Sequence, residues 1–212
     1  MDSDYSGVRV MEDRINPEIF QEFHDLLEEI ADELNFESSD DIRKELVVMA
    51  RSGTVESYRQ IEKITKDTSL SAKEHDFAIV ALNFCIFKIE NYLLGLKADM
   101  VSGGLGGKDN RLRYYVAFTG KEGLMENACK EIEKVFGGIL CKYDSILEEV
   151  NYHGYYVSLL ILGSIDHAIG VVLDEAISGC GILSSEYYLT NVEIPSDERI
   201  RDWLDGKLDE SS

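Results

Sequence analysis

Two stretches of this chain start alike: Tyr114-Tyr115-Val116 opens one apolar run, and Tyr155-Tyr156-Val157 opens another 41 residues later. A helical pattern follows each run, lined by Leu124, Ala128, Ile132 and Val135 in the first copy and by Ile165, Ala168, Ile169, Val172 and Ile177 in the second. Each helix then meets glycines suited to a left-handed C-terminal cap, Gly137-Gly138 in one case and Gly179-Cys180-Gly181 in the other. Ile139-Leu140 and Ile182-Leu183 open the next strands. Such a repeat confines the second half to two βαβ units in tandem.

The pattern predicts strands at about 111–119, 139–150, 155–163 and 183–193. Between the middle two, Tyr152-His153-Gly154 is too short for a crossover, so those strands should form an antiparallel hairpin. Right-handed crossovers then place both helices on one face of a four-stranded sheet, which is the split βαβ or ferredoxin-like arrangement. Paired tyrosines point one ring to each face of the sheet. The face away from the helices should be covered by the N-terminal helices or by a second copy of the protein. Pro195-Ser196-Asp197-Glu198 ends the last strand and starts a closing helix through Ile200, Trp203 and Leu204, which an acidic tail leaves near Gly206.

The first half reads as helices. Asn16-Pro17-Glu18 combines a cap, a proline at the first helical position and an acid at the positive helix end. Ile19, Phe20, Phe23, Leu26, Leu27, Ile30 and Leu34 then recur at helical spacing as one apolar stripe. Further helices are expected at about 40–51 and 54–66. A fourth starts at the capping box Ser71/Glu74 and stops at Gly95. Its interior, from Phe77 through Tyr92, is apolar over more than one face, so it should be central.

Asp41-Ile42-Arg43-Lys44, with Ile61, Ile64, Asp67, Ala78, Ala81 and Leu82, resembles the helix-loop-helix units of HEAT-type repeats over about 16–94. That resemblance implies a protein-interaction surface. Two units are fewer than the roughly three a free solenoid needs, so this half should lean on the rest of the chain. Thr119-Gly120-Lys121-Glu122-Gly123-Leu124 resembles the strand-to-helix turn of ACT-type regulatory domains, which implies an amino acid held at Gly120 and Gly123. In broad outline the chain is similar to an uncharacterised bacterial family with helical repeats followed by a GLGGK-type loop and a strand.

Together these readings give an α+β fold in which N-terminal HEAT-like α-helical hairpins pack on a C-terminal ferredoxin-like βαββαβ domain with a closing helix. The expected divisions are a helical region at 1–95, a Gly-rich junction at 96–110, the split βαβ domain at 111–195, and the closing helix with its tail at 196–212.

The junction, SGGLGGKDNRLR at 102–113, is glycine-rich and locally basic. A phosphate-loop reading fails in register, because Asp109 stands where Ser or Thr should follow Lys108, and a strand follows in place of a helix. The dinucleotide fingerprint is absent in register too. Two readings stay open. Gly103, Gly104, Gly106 and Gly107 can form a backbone nest beside Lys108, Arg111 and Arg113, giving a site for a small anionic ligand. Alternatively the glycines make a plain turn, and the basic residues lie against the chain's own acid from residues 1–50.

Charge narrows the partners. Lys+Arg 21 against Asp+Glu 41 gives −20, with 15 acidic against 4 basic side chains in 1–50 and 11 against 3 in 151–212. Such a surface repels phosphate backbones and anionic bilayers, so neither nucleic acid nor membrane is an expected partner. The same charge opposes an RNA-recognition reading of the tyrosine-bearing sheet. The N-terminus lacks the pattern of a signal peptide, and no apolar run suggests a membrane span. Cys85, Cys129, Cys141 and Cys180 lack metal-ligand spacing and read as reduced thiols of a cytoplasmic protein.

No metal or cofactor is expected. His24, His75, His153 and His167 have no Ser or Cys nucleophile at a suggestive spacing. Glu28-Glu29 and Glu148-Glu149 are adjacent, which points their carboxylates apart. The expectation is a non-catalytic cytoplasmic adaptor or regulatory protein that binds a protein partner or forms a homo-oligomer. The alternative is a sensor of a small anion or amino acid through the Gly-rich basic loop.

Overall fold

A computed structural model describes residues 6–32, 41–95, 97–120 and 128–207. It is mixed α+β and divides into two compact units, Met1–Gly104 and Leu105–Ser212, with the boundary inside the Gly-rich junction.

In the first unit the helices are α1 (Pro17–Asp32), α2 (Ile42–Ser52), α3 (Val55–Ile64) and α4 (Ala72–Leu94). Local chemistry sets their ends. Asp41, Thr54 and Ser71 each accept a backbone N–H from the first turn, and Ser71 and Glu74 complete both halves of the capping box. Gly53 and Gly95 close α2 and α4 in the left-handed conformation. At Gly53 a side chain is excluded twice over, since φ is +56° and a Cβ would stand 2.9 Å from Lys88 Cβ. Phe23, Leu46, Val47, Ile61, Phe77 and Phe84 build the core around α4.

Helix α4 has 23 residues and, by length and composition, could cross a membrane, which the sequence reading did not expect. Seven of its side chains are buried in the unit's core. A second departure is a parallel pair of strands, β1 (Ser6–Val10) and β2 (Lys97–Val101), which adds sheet to a half read as wholly helical. Each strand is short and takes its partner from the opposite end of the unit, so no local pattern announces it.

The second unit contains β3 (Gly107–Lys108), β4 (Arg111–Gly120), α5 (Ala128–Lys142), β5 (Ile146–Tyr152), β6 (Val157–Ser164), α6 (Ile169–Cys180), β7 (Leu183–Thr190) and α7 (Asp197–Leu204). All its pairings are antiparallel. β4 pairs with β6 along one side and with β3 and then β7 along the other, and β5 pairs with β6. The order across the sheet is therefore β5, β6, β4, β7. The ACT-type turn at 119–124 lies, from Lys121 onward, outside the described residues, as do Leu34, Leu124 and the tail beyond Lys207.

One boundary is corrected. Gly137-Gly138 do not cap the first helix; α5 runs through them to Lys142, and Asp144 takes the left-handed conformation beyond its end. Ile139-Leu140 are consequently helical, and the next strand starts at Ile146. Burial explains the outcome: Ile132, Phe136 and Leu140 are fully buried at helical spacing, and their packing exceeds the cost of about 1 kcal/mol per helical glycine.

The two sheet faces differ. Val116, Phe118, Val157, Leu159 and Ile161 pack against α5 and α6, where the Tyr114 ring lies over Gly163 so closely that a Cβ there would be 2.9 Å away. On the other face Tyr115, Ala117, Tyr156 and Leu160 pack with Leu105 and with Ile200 of α7. The sequence reading assigned this face to the N-terminal helices or a second copy; the closing helix, capped by Ser196, occupies part of it.

Candidate functional site

The Gly-rich segment ends in a tight hairpin. Asp109 and Asn110 have φ of 50° and 60°, the left-handed pair of a two-residue turn joining β3 to β4. Gly103 and Gly104 end the first unit, while Gly106 and Gly107 are buried at the start of the second. Lys108 is exposed at the hairpin. The two arginines are engaged by acid from within their own unit, where the sequence reading looks to residues 1–50. Arg111 donates through Nε to the Asp144 carbonyl at 2.6 Å and through a terminal nitrogen to the Asp144 carboxylate at 2.5 Å. Arg113 grips Glu148 through two hydrogen bonds of 2.6 and 3.0 Å and donates a third, of 2.9 Å, to the Leu105 carbonyl. This fork pushes the guanidinium further above its ordinary value, chiefly through the hydrogen bond to Glu148.

Those bonds fix the start of β5. Asp144 and Ser145 form the turn out of α5, and the buried Ser145 hydroxyl accepts the Ser164 N–H at 3.0 Å. A bulge between Leu147 and Glu149 breaks the pairing with β6 at Glu148, which frees that carboxylate to meet Arg113. Among the described residues β5 pairs only with β6, so its outer edge is the end of the sheet.

Beside that edge runs a groove of about 480 Å³ between β5 and α5. Glu133, Gly137 and Cys141 line it from the helix, and Ile146, Glu148 and Glu149 from the strand. Gly137 and Gly138 face open space: a Cβ at either position would meet nothing within 4 Å. Packing inside the unit does not require these glycines. Gly137, which lines the groove, leaves it unfilled. Ile146 is 44% exposed at its end.

A second polar cluster sits on the α7 side of the sheet. His153 Nε2 lies 2.8 Å from Ser158 Oγ, and its ring stacks on Tyr156 with centroids 4.2 Å apart. Tyr156 donates its hydroxyl proton to Asp197 at 2.5 Å. The sequence places His153 in a turn with no Ser or Cys nucleophile at a suggestive spacing; the hairpin brings Ser158 to it. Tyr156, Ser158 and Leu160 alternate onto one face, and the turn folds His153 back over it. That signal was present in the short turn at 152–154. Asp197, 41 residues from Tyr156, arrives only by tertiary folding.

The thiols of Cys85 and Cys180 are buried and pushed upward by that burial, Cys129 is half-buried, and Cys141 is exposed in the groove. Among the described residues no group of three His, Cys, Asp or Glu side chains is placed to hold a metal ion.

No family model and no curated protein matches this chain. Among solved structures, one from Deinococcus radiodurans R1 assigned to the transposases aligns with 46% of this chain and 91% of its own length, at 13% identity and a TM-score of 0.40. An overlap at that score carries no argument about fold or activity.

Proposed function

We propose that the protein is a non-catalytic adaptor or regulatory protein of the cytoplasm that captures an extended, basic segment of a partner protein along the outer edge of β5. The observation that carries this reading is the groove between β5 and α5. It joins the outer edge of β5, which among the described residues is the end of the sheet, an opening at the helical Gly137 and an acidic lining. Strand addition supplies backbone hydrogen bonds, and the groove supplies selection by side chain. A net charge of −20 steers cationic partners toward such a site.

A second copy of this chain fits less well, since an added β5 would bring Glu148 and Glu149 to the same carboxylates. The anion-sensor alternative requires Arg111 and Arg113 to leave Asp144 and Glu148. Strand order and antiparallel pairing support a ferredoxin-like form for the second unit. Short connections and amphipathic faces support HEAT-like hairpins for α1–α4. Four cysteines that form no disulfide support the cytoplasmic placement.

Fluorescence anisotropy tests the proposal with a labelled peptide of about eight residues alternating Lys and Val. It should bind the protein, whereas a Glu-Val peptide should not. Gly137→Phe, which fills the groove from an exposed position, should abolish binding without lowering Tm. Equal binding of both peptides, or full binding by the Phe variant, would sink the reading.

A further inference from the structure

The α7 side of the second unit holds a separate cavity of about 150 Å³, lined by Tyr115, Tyr156, Ser158 and Leu160 from the sheet and by Ile194 and Asp197 from the segment entering α7. Asn151, His153, Leu159 and Pro195 also line it, as does Glu149, which it shares with the β5 groove. A void of roughly this volume in an engineered apolar core admits a benzene-sized molecule. The chemistry of the lining decides what could enter this one.

Its interior donors are already used. The Tyr156 hydroxyl donates to Asp197, Ser158 meets His153, and the Tyr115 phenol lies beside Ser158 and Tyr156. Burial pushes both phenols above their ordinary value, so these hydroxyls stay neutral. Formal charge in the lining comes from two carboxylates, Glu149 and Asp197. No Lys or Arg is among the lining residues. Tyrosine rings and aliphatic side chains make the walls. Arg113 and Arg201 act on Glu149 and Asp197 from outside the lining, but within it carboxylates and aromatic rings suit a small organic cation, which gains from charge pairing and from the ring quadrupoles together.

Ser158, His153 and Asp197 follow one another as nucleophile, base and orienting acid do in a catalytic triad, but the geometry is not that of one. His153 Nδ1 is 3.6 Å from Asp197 Oδ1, and that oxygen already accepts from Tyr156. Ser158 is 3% exposed and held between Ala117 and Asn151 in the sheet. The trio shapes a wall and does not present a nucleophile.

We propose that this cavity binds the ammonium group of a primary alkylamine, with Glu149 and Asp197 as counter-charges and Tyr115 and Tyr156 as the aromatic wall. The ammonium can come from a free small amine or from a lysine side chain of a bound protein. Calorimetric titration, with His153 ring signals followed by NMR, tests the assignment using n-butylammonium, n-butanol and butyrate as probes. Butylammonium should bind saturably and shift the His153 ring, and the neutral and anionic probes should bind at least about tenfold more weakly.

Glu149→Gln, at an exposed position that leaves folding alone, should weaken butylammonium about tenfold. Glu56→Gln, in the other unit, should change nothing, and Gly137→Phe, which closes only the β5 groove, should also leave amine binding intact. An acetylated, amidated Gly-Lys-Gly peptide separates the sources: tighter binding than butylammonium marks lysine, weaker binding marks a free amine. The proposal is overturned if butanol binds as well as butylammonium, if Glu56→Gln weakens binding as much as Glu149→Gln, or if no saturable binding occurs.

Discussion

On one face of the C-terminal sheet Val116, Phe118, Val157, Leu159 and Ile161 meet the apolar sides of α5 and α6. On the opposite face Tyr115, Tyr156 and Ser158 share their space with His153 and Asp197. Apolar burial is non-directional, so the first face is filled by shape and stabilises the unit in proportion to area. Buried polar groups need a partner each, at a set distance and angle. The second face is consequently held by a few directed bonds, with a cavity among them. One face makes the unit stable and the other leaves it room for a ligand.

Truncation on the apolar face should break that contrast hardest. Phe136 is fully buried and packs edge-on to Phe118 at 5.6 Å, so Phe136→Ala should lower the unfolding free energy by about 3–5 kcal/mol in a denaturant titration. Arg113→Ala should cost less, about 1–2 kcal/mol, because it removes three hydrogen bonds but leaves a half-exposed Glu148 that water can reach. It should also accelerate amide exchange at the start of β5. Loss of stability equal to that of Phe136→Ala would show that the polar clamp, not the apolar face, holds the sheet.

Smaller still is the effect of the phenol. Burial, with Asp197 beside it, pushes the Tyr156 hydroxyl above its usual value of about 10. A group raised on folding contributes stability that is complete below the unfolded value and is lost as pH climbs past it. Unfolding free energy should thus decline from about pH 10 upward, and Tyr156→Phe should flatten part of that decline. At pH 7 the same change should cost about 1 kcal/mol, the net worth of one hydrogen bond. An unaltered alkaline limb in the variant would remove Tyr156 from the explanation.

Gly137→Ala should act in the opposite direction. The added methyl meets nothing within 4 Å, and alanine in a helix interior is favoured by about 0.5–1 kcal/mol over glycine. Thermal unfolding should shift upward slightly, while affinity for the Lys-Val peptide falls.

Local chemistry was readable from the sequence where it acts over a few residues. The Ser71/Glu74 capping box, Gly95 and the Ser196 cap stand where the pattern put them, and β4 starts at Arg111 as expected, while the second Tyr-Tyr-Val enters its strand only at Val157. It was misleading at Gly137-Gly138, because a cap signal is weak against three fully buried residues at helical spacing. Pairings between distant residues left no trace: β1 finds β2 across the whole helical unit, and Arg113 meets Glu148 35 residues away. The basic segment stands out in the sequence by its charge, but its arginines organise the edge strand. The acid that neutralises them could not be identified before the sheet order was known.

A partner strand received by β5 and the groove beside it would leave a local mark on the backbone. Residue-resolved amide hydrogen exchange, with and without saturating Lys-Val peptide, tests it most directly. Protection should rise along 146–152 and along the Gly137 face of α5, with the β7 edge unchanged. Protection confined to β7, or spread evenly over acidic surface in both units, would contradict it.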